Sequence, residues 1–378
     1  MKSKNRALFI DLLRGLALLV MIEVHICNEL LNSDIKSSFW FPTLNFINGL
    51  VAPSFLFVSG LVFVLSIQKS TDELRKFGKA FWRKINRILL ILIAGYSLHT
   101  PFFSLKKLLE NPTPEILKQL FIVDILQVIS VGLLVLLFAR IIFKSDKSFY
   151  IFIGSFLLFV LLLSPAAWHV DFNRFLPIPF ASYFNRNNGS LFPVFPWFNF
   201  LFAGALASKF YIKFKEQNAE NIFIRKILFV GIGFFLVCVL LLNVLFPPSL
   251  EELRPHPLFF LERLGVVLAL LAVCWYYVQQ RESYNSFVLD VSRESLLVYW
   301  LHLQFIFRKV FDGKSLVDIY GNRLNVMECI LFTLALCVLM VLTAKGWGWV
   351  KSNYPKLAPK LALAAVLIGV FAFLIRQS

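Results

Sequence analysis

Long apolar runs, separated by short polar or charged loops, follow one another along the whole chain. A transmembrane helix needs about 20 predominantly apolar residues, and most of the runs approach that length. The pattern predicts eleven helices, over residues 9–31, 46–67, 88–104, 120–143, 148–166, 193–212, 226–246, 258–278, 287–307, 326–344 and 360–376. We therefore predict an all-α integral membrane protein of about 10–11 spans, with one transmembrane domain over residues 1–378.

Composition narrows the class of protein further. Hydrophobic residues make up 58% of the 378 residues and charged residues 16%, against about 25% charged residues in soluble domains. This balance excludes a soluble enzyme, a disordered chain, a disulfide-rich secreted scaffold and a nucleic-acid-binding domain. The five cysteines lie in apolar stretches without metal-ligand spacing, so we expect buried free thiols and no metal.

The net charge of +16 is distributed unevenly between alternate loops. If the N-terminus is cytoplasmic, 25 of the 38 Lys and Arg residues face the cytoplasm and 13 face the other side. Cytoplasmic loops carry the excess of positive charge in membrane proteins. The count therefore predicts a cytoplasmic N-terminus and, with eleven spans, a C-terminus outside. Asp11 and Arg14 interrupt the first apolar run, which favours a retained span over a cleaved signal peptide.

Polar residues form a stripe along the first helix. Arg14 and His25 are eleven residues apart, which is about three helical turns and returns to one face. The other members fall within about 60° of the same face: Asp11, Asn28, Glu29 and Asn32. Ionisable groups inside a span are costly and commonly functional. His25 is the best candidate for a base because imidazole titrates near neutral pH.

Other polar residues fall at two depths of the predicted bundle. At the outer level they predict a polar pocket, formed by His99, Asp124, Gln127, Glu262, Arg263 and His302. The cytoplasmic level has a second set of charged residues, namely Arg83, Lys84, Arg87, Asp290, Arg293 and Glu294. The cytoplasmic cations either anchor the protein by the positive-inside rule or bind a phosphorylated cytosolic ligand. The aromatic, Pro-rich outer loop at 167–200 is either an interfacial belt or a lid over an outward site.

Six motifs, in order, resemble a known group of membrane enzymes. The first is RALFIDLLRGLALLVMIEVH, in which Asp11, Arg14, Gly15 and His25 match an Asp-x-x-Arg-Gly start followed by a His. The others are APSFLFVSG (52–60), the basic FWRKINRILL, VDILQVIS (123–130), FPVFPWFNFLFAG (192–204) and SRESLLVYWLHL (292–303). Together they resemble the transmembrane acyltransferase superfamily, which includes the acyltransferase-3 enzymes and the heparan-α-glucosaminide N-acetyltransferase-like proteins. Lys84 stands where the basic motif has its first Arg, and Arg87 is retained.

The resemblance implies that the protein moves an acyl group, chiefly acetyl, from cytosolic acyl-CoA to a saccharide or glycan on the far side. It implies His25 as general base, with Arg14, Asp11, Asp124 and His302 as supporting residues. Arg83, Lys84, Arg87 and Arg293 would hold the donor's phosphates. The first outer loop, ICNELLNSDIKSSFWFP, departs from the Gly-rich loop of the heparan-acetylating enzymes, so the acceptor is not assigned to glucosamine.

Two other classes remain open at this point. A transporter or flippase for a lipid-linked or anionic substrate would also carry a polar stripe, although the chain shows no internal repeat of the kind common in transporters. A purely structural membrane protein is the second. The expected partners are acetyl-CoA or another acyl-CoA, a glycan acceptor and the lipid bilayer, and we expect a multi-pass protein of a bacterial inner membrane. No nucleic acid is expected, and a homodimer is left open.

Overall fold

The computed structural model describes residues 7–101, 104–245, 253–281, 285–309 and 313–376. Helices occupy all eleven predicted ranges in this part of the chain. They are α1 (Leu8–Leu30), α2 (Val51–Ile67), α3 (Lys79–His99), α4 (Ile125–Ile142), α5 (Asp146–His169), α6 (Val194–Glu216), α7 (Glu220–Leu245), α8 (Pro257–Gln279), α9 (Phe287–Arg293), α10 (Ser295–Phe307), α11 (Val326–Asn353) and α12 (Ala358–Ile375). The predicted all-α class is confirmed.

Short helices and turns connect the long ones. They are Ser33–Lys36, Phe41–Asn48, Gln68–Ser70, Thr71–Arg75, Leu105–Glu110, Pro114–Leu120, Phe172–Arg174, Ile178–Ala181 and Leu316–Tyr320. The β-structure found among the described residues is one isolated bridge, between Leu31 and Leu324. It joins the C-terminal end of α1 to the turn that precedes α11.

Seven stretches of the described chain are long and apolar enough to cross a membrane: Phe41–Ile67, Ile125–Ile142, Asp146–His169, Glu220–Val244, Pro257–Gln279, Val326–Asn353 and Ala358–Ile375. The remaining predicted spans are helical but less apolar or broken. α1 carries Asp11, Arg14 and Glu23, and the ninth predicted span is interrupted at Glu294 between α9 and α10. The protein is therefore a multi-pass membrane protein, while the orientation of its N-terminus stays a prediction.

Contacts divide the chain into two compact units. The first unit contains Met1–Val51, Pro101–Asn111 and Tyr276–Ser378, and the second contains Ala52–Thr100 and Pro112–Trp275. That one transmembrane domain covers residues 1–378 stays a prediction.

The first unit is built around α1, which packs against α9, α10 and α11. Leu18, Ile22 and Leu30 of α1 are fully buried. α1 approaches α9 so closely at Gly15 that a Cβ atom there would collide with the backbone of Val288. Most of α12 is exposed, and Phe371 is 62% exposed. An apolar exposed face of this kind is typical of a helix that contacts lipid.

The second unit packs α6 against α4, α5 and α7. α2 and α6 cross with two glycines at their contact. A Cβ atom at Gly60 would collide with the carbonyl oxygen of Leu201, and one at Gly204 would collide with that of Phe57. Small residues let helix backbones approach closely in membranes, where packing and not the hydrophobic effect drives association. These glycines therefore set the distance between α2 and α6.

The loop at 167–192 belongs to the second unit, and hydrogen bonds from buried polar side chains hold its backbone in place. Asn185 donates to the carbonyl oxygens of Ala167 and Val170, at 3.1 and 2.6 Å. Asn188, the first residue of a glycosylation-type sequence, is 3% exposed and donates to Asn173. Because its amide is buried and bonded, the folded loop does not present Asn188 for modification.

We predict that Gly204→Ala lowers the thermal stability of the detergent-solubilised protein. The added methyl group meets a backbone carbonyl, which no rotamer change can move, and overpacking of this kind costs about 1–3 kcal/mol or more. Gly233→Ala in α7 is the matched control, because no atom lies within 4 Å of a Cβ at that position. Thermal unfolding followed by size-exclusion elution measures both, and equal midpoints for the two variants would contradict the tight crossing.

Candidate functional site

The charged residues of α1 find partners inside the first unit. Asp11 is 5% exposed, and the guanidinium of Arg14 donates to its carboxylate. Glu23, which lies off the polar stripe, accepts a hydrogen bond from the Asn48 amide at 3.4 Å. A charge buried in an apolar bundle is costly unless it is paired. These pairs explain how α1 carries acidic and basic groups through the core.

Further along the same face of α1, His25 lies beside His302 of α10. The ring centroids of His25 and His302 are 5.4 Å apart, and the rings are tilted by 40°. His302 is fully buried, while His25 is partly exposed. Phe307 packs edge-on against His25 at 5.9 Å, and Tyr299 packs edge-on against His302 at 5.7 Å. Each imidazole of the pair therefore packs against an aromatic ring.

The hydrogen bonding of His302 defines its tautomer. Its Nδ1 lies 2.8 Å from the carbonyl oxygen of Val298, one turn earlier in α10. Because a carbonyl oxygen only accepts, Nδ1 carries the hydrogen, and Nε2 holds the lone pair in the neutral ring. The bond also fixes the direction of the ring. His302 is thus a rigid neighbour of His25.

A lysine contacts the C-terminal end of the stripe. The ammonium group of Lys36 donates to the carbonyl oxygen of Asn28 at 2.6 Å and to the side-chain oxygen of Asn322 at 2.7 Å. Asn32 accepts from the backbone N–H of Asp34 and so caps the short helix that follows. These contacts join the end of α1 to the turn before α11. The last residues of the stripe therefore hold the local backbone together.

The second unit has its own titratable pair. Nε2 of His99 lies 3.2 Å from the carboxylate of Asp124, which also caps the N-terminus of α4 by accepting from Ile125. The side-chain oxygen of Gln127 lies against Gly95, where a Cβ atom would crowd it. Asp124 and His302 were both candidates to orient His25. The structure places His302 beside His25 and pairs Asp124 with His99, which is a residue of the second unit.

Two further polar groups are buried in the second unit. Glu262 and Arg263 form an ion pair of 2.8 Å, and the guanidinium of Arg263 lies 3.9 Å from the ring centroid of Phe259. Asn199 of α6 is fully buried, and neither of its side-chain atoms has a hydrogen-bond partner among the described residues. No sequence pattern singled out Asn199. An unsatisfied buried amide is costly, so it marks a position where a bound molecule can supply the missing bonds.

Three of the predicted donor-binding cations belong to the second unit, and the fourth belongs to the first. Lys84 donates to the hydroxyl of Ser66 at 2.7 Å, and burial together with Arg87 and Arg83 lowers the pKa of Lys84 to about 8. Arg83 lines an open cleft of about 610 Å³ at the start of α3. Arg87 is exposed. Arg293 belongs to the first unit, where it donates to Asp290 at 3.2 Å.

The fold and these groups define a class of protein: a multi-pass helical bundle with a histidine pair in its interior. The catalytic-domain model of heparan-alpha-glucosaminide N-acetyltransferase matches residues 6–238, which is more than half of the chain. The protein therefore belongs to this family, and membership implies a membrane acetyltransferase. The comparison with curated proteins returns no match.

We predict that Arg14→Ala destabilises the protein by about 3–5 kcal/mol, because it leaves Asp11 charged and buried without its cation. The double variant Asp11→Asn/Arg14→Gln removes both charges and should recover part of that loss. Arg293→Ala is the comparison, since its partially exposed pair with Asp290 is worth about 1 kcal/mol or less. Thermal unfolding in detergent ranks the three. A double variant less stable than Arg14→Ala would show that the Asp11 charge is not the source of the cost.

Proposed function

We propose that the protein transfers an acetyl group from cytosolic acetyl-CoA to a hydroxyl or amine of a saccharide or glycan on the other side of the membrane. The family match supports an acetyltransferase, and the wider kinship with the acyltransferase-3 enzymes remains an expectation from the motifs. The observation that carries the mechanism is the contact between His25 and His302 of α10. His25 lies on α1, the helix that also holds the buried Asp11–Arg14 pair. The proposed location is a bacterial inner membrane.

His25 acts as the general base in this proposal. The acceptor's oxygen or nitrogen attacks the thioester carbonyl carbon, and His25 takes the proton that the acceptor loses. The tetrahedral intermediate then collapses, the C–S bond breaks, and the proton passes to the departing CoA thiolate. The products are the acetylated acceptor and free CoA. His302, held by Val298, is a positioning residue for the His25 ring.

The remaining sequence candidates receive roles that fit their contacts. Asp11 and Arg14 neutralise one another within α1, and Asp124 with His99 is the second unit's candidate for binding acceptor hydroxyl groups. Arg83, Lys84, Arg87 and Arg293 remain the proposed cytoplasmic cations for the donor. A covalent route through an acetyl-His25 intermediate is the alternative mechanism. Release of CoA in a burst without acceptor would distinguish it from direct transfer.

We predict that His25→Ala lowers the rate of acetyl-CoA-dependent CoA release at least 100-fold, because general base catalysis contributes at least that factor. Free thiol is measured with purified protein and a saccharide acceptor. His302→Asn should give a smaller loss, because it disturbs the position of His25 but leaves the base in place. Both proteins must elute as monodisperse species equal to wild type. More than about a tenth of wild-type rate in His25→Ala would remove His25 as the base.

The proposed orientation has a separate test. A cysteine at Lys76, in the 69–87 segment, should resist an impermeant thiol reagent in intact cells, whereas a cysteine at Phe175, in the 167–192 loop, should react. Both positions are exposed, so access depends on the side of the membrane. The parent chain, with its five native cysteines, gives the background. The opposite labelling pattern would invert the assignment of the two sides.

A further inference from the structure

The cleft at the start of α3 has an unusual lining for an exposed surface. Its wall includes two largely exposed aromatic rings, Phe77 at 53% and Trp82 at 56%. Around them stand two cations, one carboxylate and one amide: Lys79, Arg83, Glu73 and Asn86. The cleft volume of about 610 Å³ falls within the range of small-molecule sites, roughly 300–1,000 Å³.

The backbone at Phe77 is the second observation. Phe77 ends the turn after the helix Thr71–Arg75 and has a φ of +50°, in the left-handed region that favours glycine. A bulky side chain in this conformation is strained. Local packing with Phe81, at a centroid distance of 4.9 Å, leaves half of the ring open. Strained residues of this kind concentrate at ligand sites.

We propose that this cleft binds the nucleotide end of the acyl-CoA donor, an adenosine 3′-phosphate 5′-diphosphate; the inference rests on the proposed function. The adenine ring stacks on Phe77 and Trp82, because base–aromatic stacking is favourable for any purine. Lys79 and Arg83 bind phosphate oxygens. Asn86 and Glu73 match the donor and acceptor groups on an adenine edge.

The two exposed aromatic rings favour a nucleotide over a lipid headgroup. A lipid headgroup could bring its phosphate to Lys79 and Arg83, but it has no planar ring that stacks on Phe77 and Trp82. An adenine has an exocyclic amino group that a carboxylate accepts from. Of the cations that are grouped in the sequence, Arg83 lines the cleft, whereas Lys84 donates a hydrogen bond to Ser66.

Phe77→Gly provides the sharpest test, because it removes the ring and relieves the backbone at once. The variant should unfold at or above the wild-type temperature, yet bind adenosine 3′,5′-bisphosphate about tenfold more weakly, as expected for the loss of one stacking ring. Trp82→Leu should weaken binding by a similar factor, and Arg83→Gln should weaken it further at low salt. Binding is measured calorimetrically with the full-length protein in neutral detergent.

Matched controls stand elsewhere in the chain. Asn218→Gly changes another residue with positive φ (+53°), Trp349→Leu removes another exposed tryptophan (58%), and Arg225→Gln removes another exposed cation. All three should bind the bisphosphate as wild type does. In turnover, Phe77→Gly should raise the KM for acetyl-CoA about tenfold but leave the rate with S-acetyl-pantetheine, which lacks the nucleotide, unchanged.

The outcomes separate this inference from the proposed function. If wild type turns over acetyl-CoA but Phe77→Gly and Trp82→Leu bind the bisphosphate as wild type does, the cleft is not the nucleotide site and the acetyltransferase stands. Equal losses with acetyl-CoA and S-acetyl-pantetheine would likewise overturn the cleft assignment, since the nucleotide would then be irrelevant. If wild type releases no CoA with any acceptor, the proposed donor chemistry itself fails.

Discussion

The need to pair every charge that enters an apolar bundle is the constraint on which the first unit depends. α1 carries Asp11, Arg14 and Glu23 among buried leucines and isoleucines. Arg14 neutralises Asp11 one turn away, and Asn48 donates to Glu23 from the neighbouring short helix. Because an unpaired charge in this environment is expensive, these pairs let α1 keep its charged residues while it packs against α9, α10 and α11.

Packing of small residues plays the corresponding part in the second unit. Gly60 and Gly204 let α2 and α6 cross at backbone contact, and Gly95 makes room for the amide of Gln127 beside α3. In a membrane, apolar side chains gain little by leaving lipid for another helix, so close van der Waals contact and hydrogen bonds must hold the helices together. The glycines allow both. They also bring the His99–Asp124 pair into a tightly packed contact between α3 and α4.

The candidate functional groups are residues whose burial or backbone conformation costs folding free energy. An imidazole whose Nδ1 donates to the carbonyl oxygen of Val298 lies beside a second, partly exposed imidazole in the first unit. Asn199 keeps both polar atoms of its amide unsatisfied within the described second unit. Phe77 has a strained backbone and an exposed ring, and it lies beside basic residues. Each feature lowers the stability of the fold, and a role in ligand binding or catalysis would explain why it is present.

The one-dimensional pattern was sufficient to predict the class and the helices. Apolar runs near 20 residues predict helices whatever their neighbours are, since a bilayer leaves backbone groups no other partner. The 3.6-residue period placed Asp11, Arg14 and His25 on one face of α1. The motifs also led to the family that the comparison then showed.

Only the tertiary structure decided which distant residues meet. His302 lies 277 positions after His25, and no periodicity links the two; helix packing brings their rings to 5.4 Å. Depth alone grouped Asp124 with both His99 and His302, and the packing of α3 against α4 brings it to His99. Arg83 and Lys84 are adjacent in sequence and point apart, because neighbouring helical residues differ by about 100° in direction. The sequence thus determined what each helix carries, and three-dimensional packing decided which groups face one another.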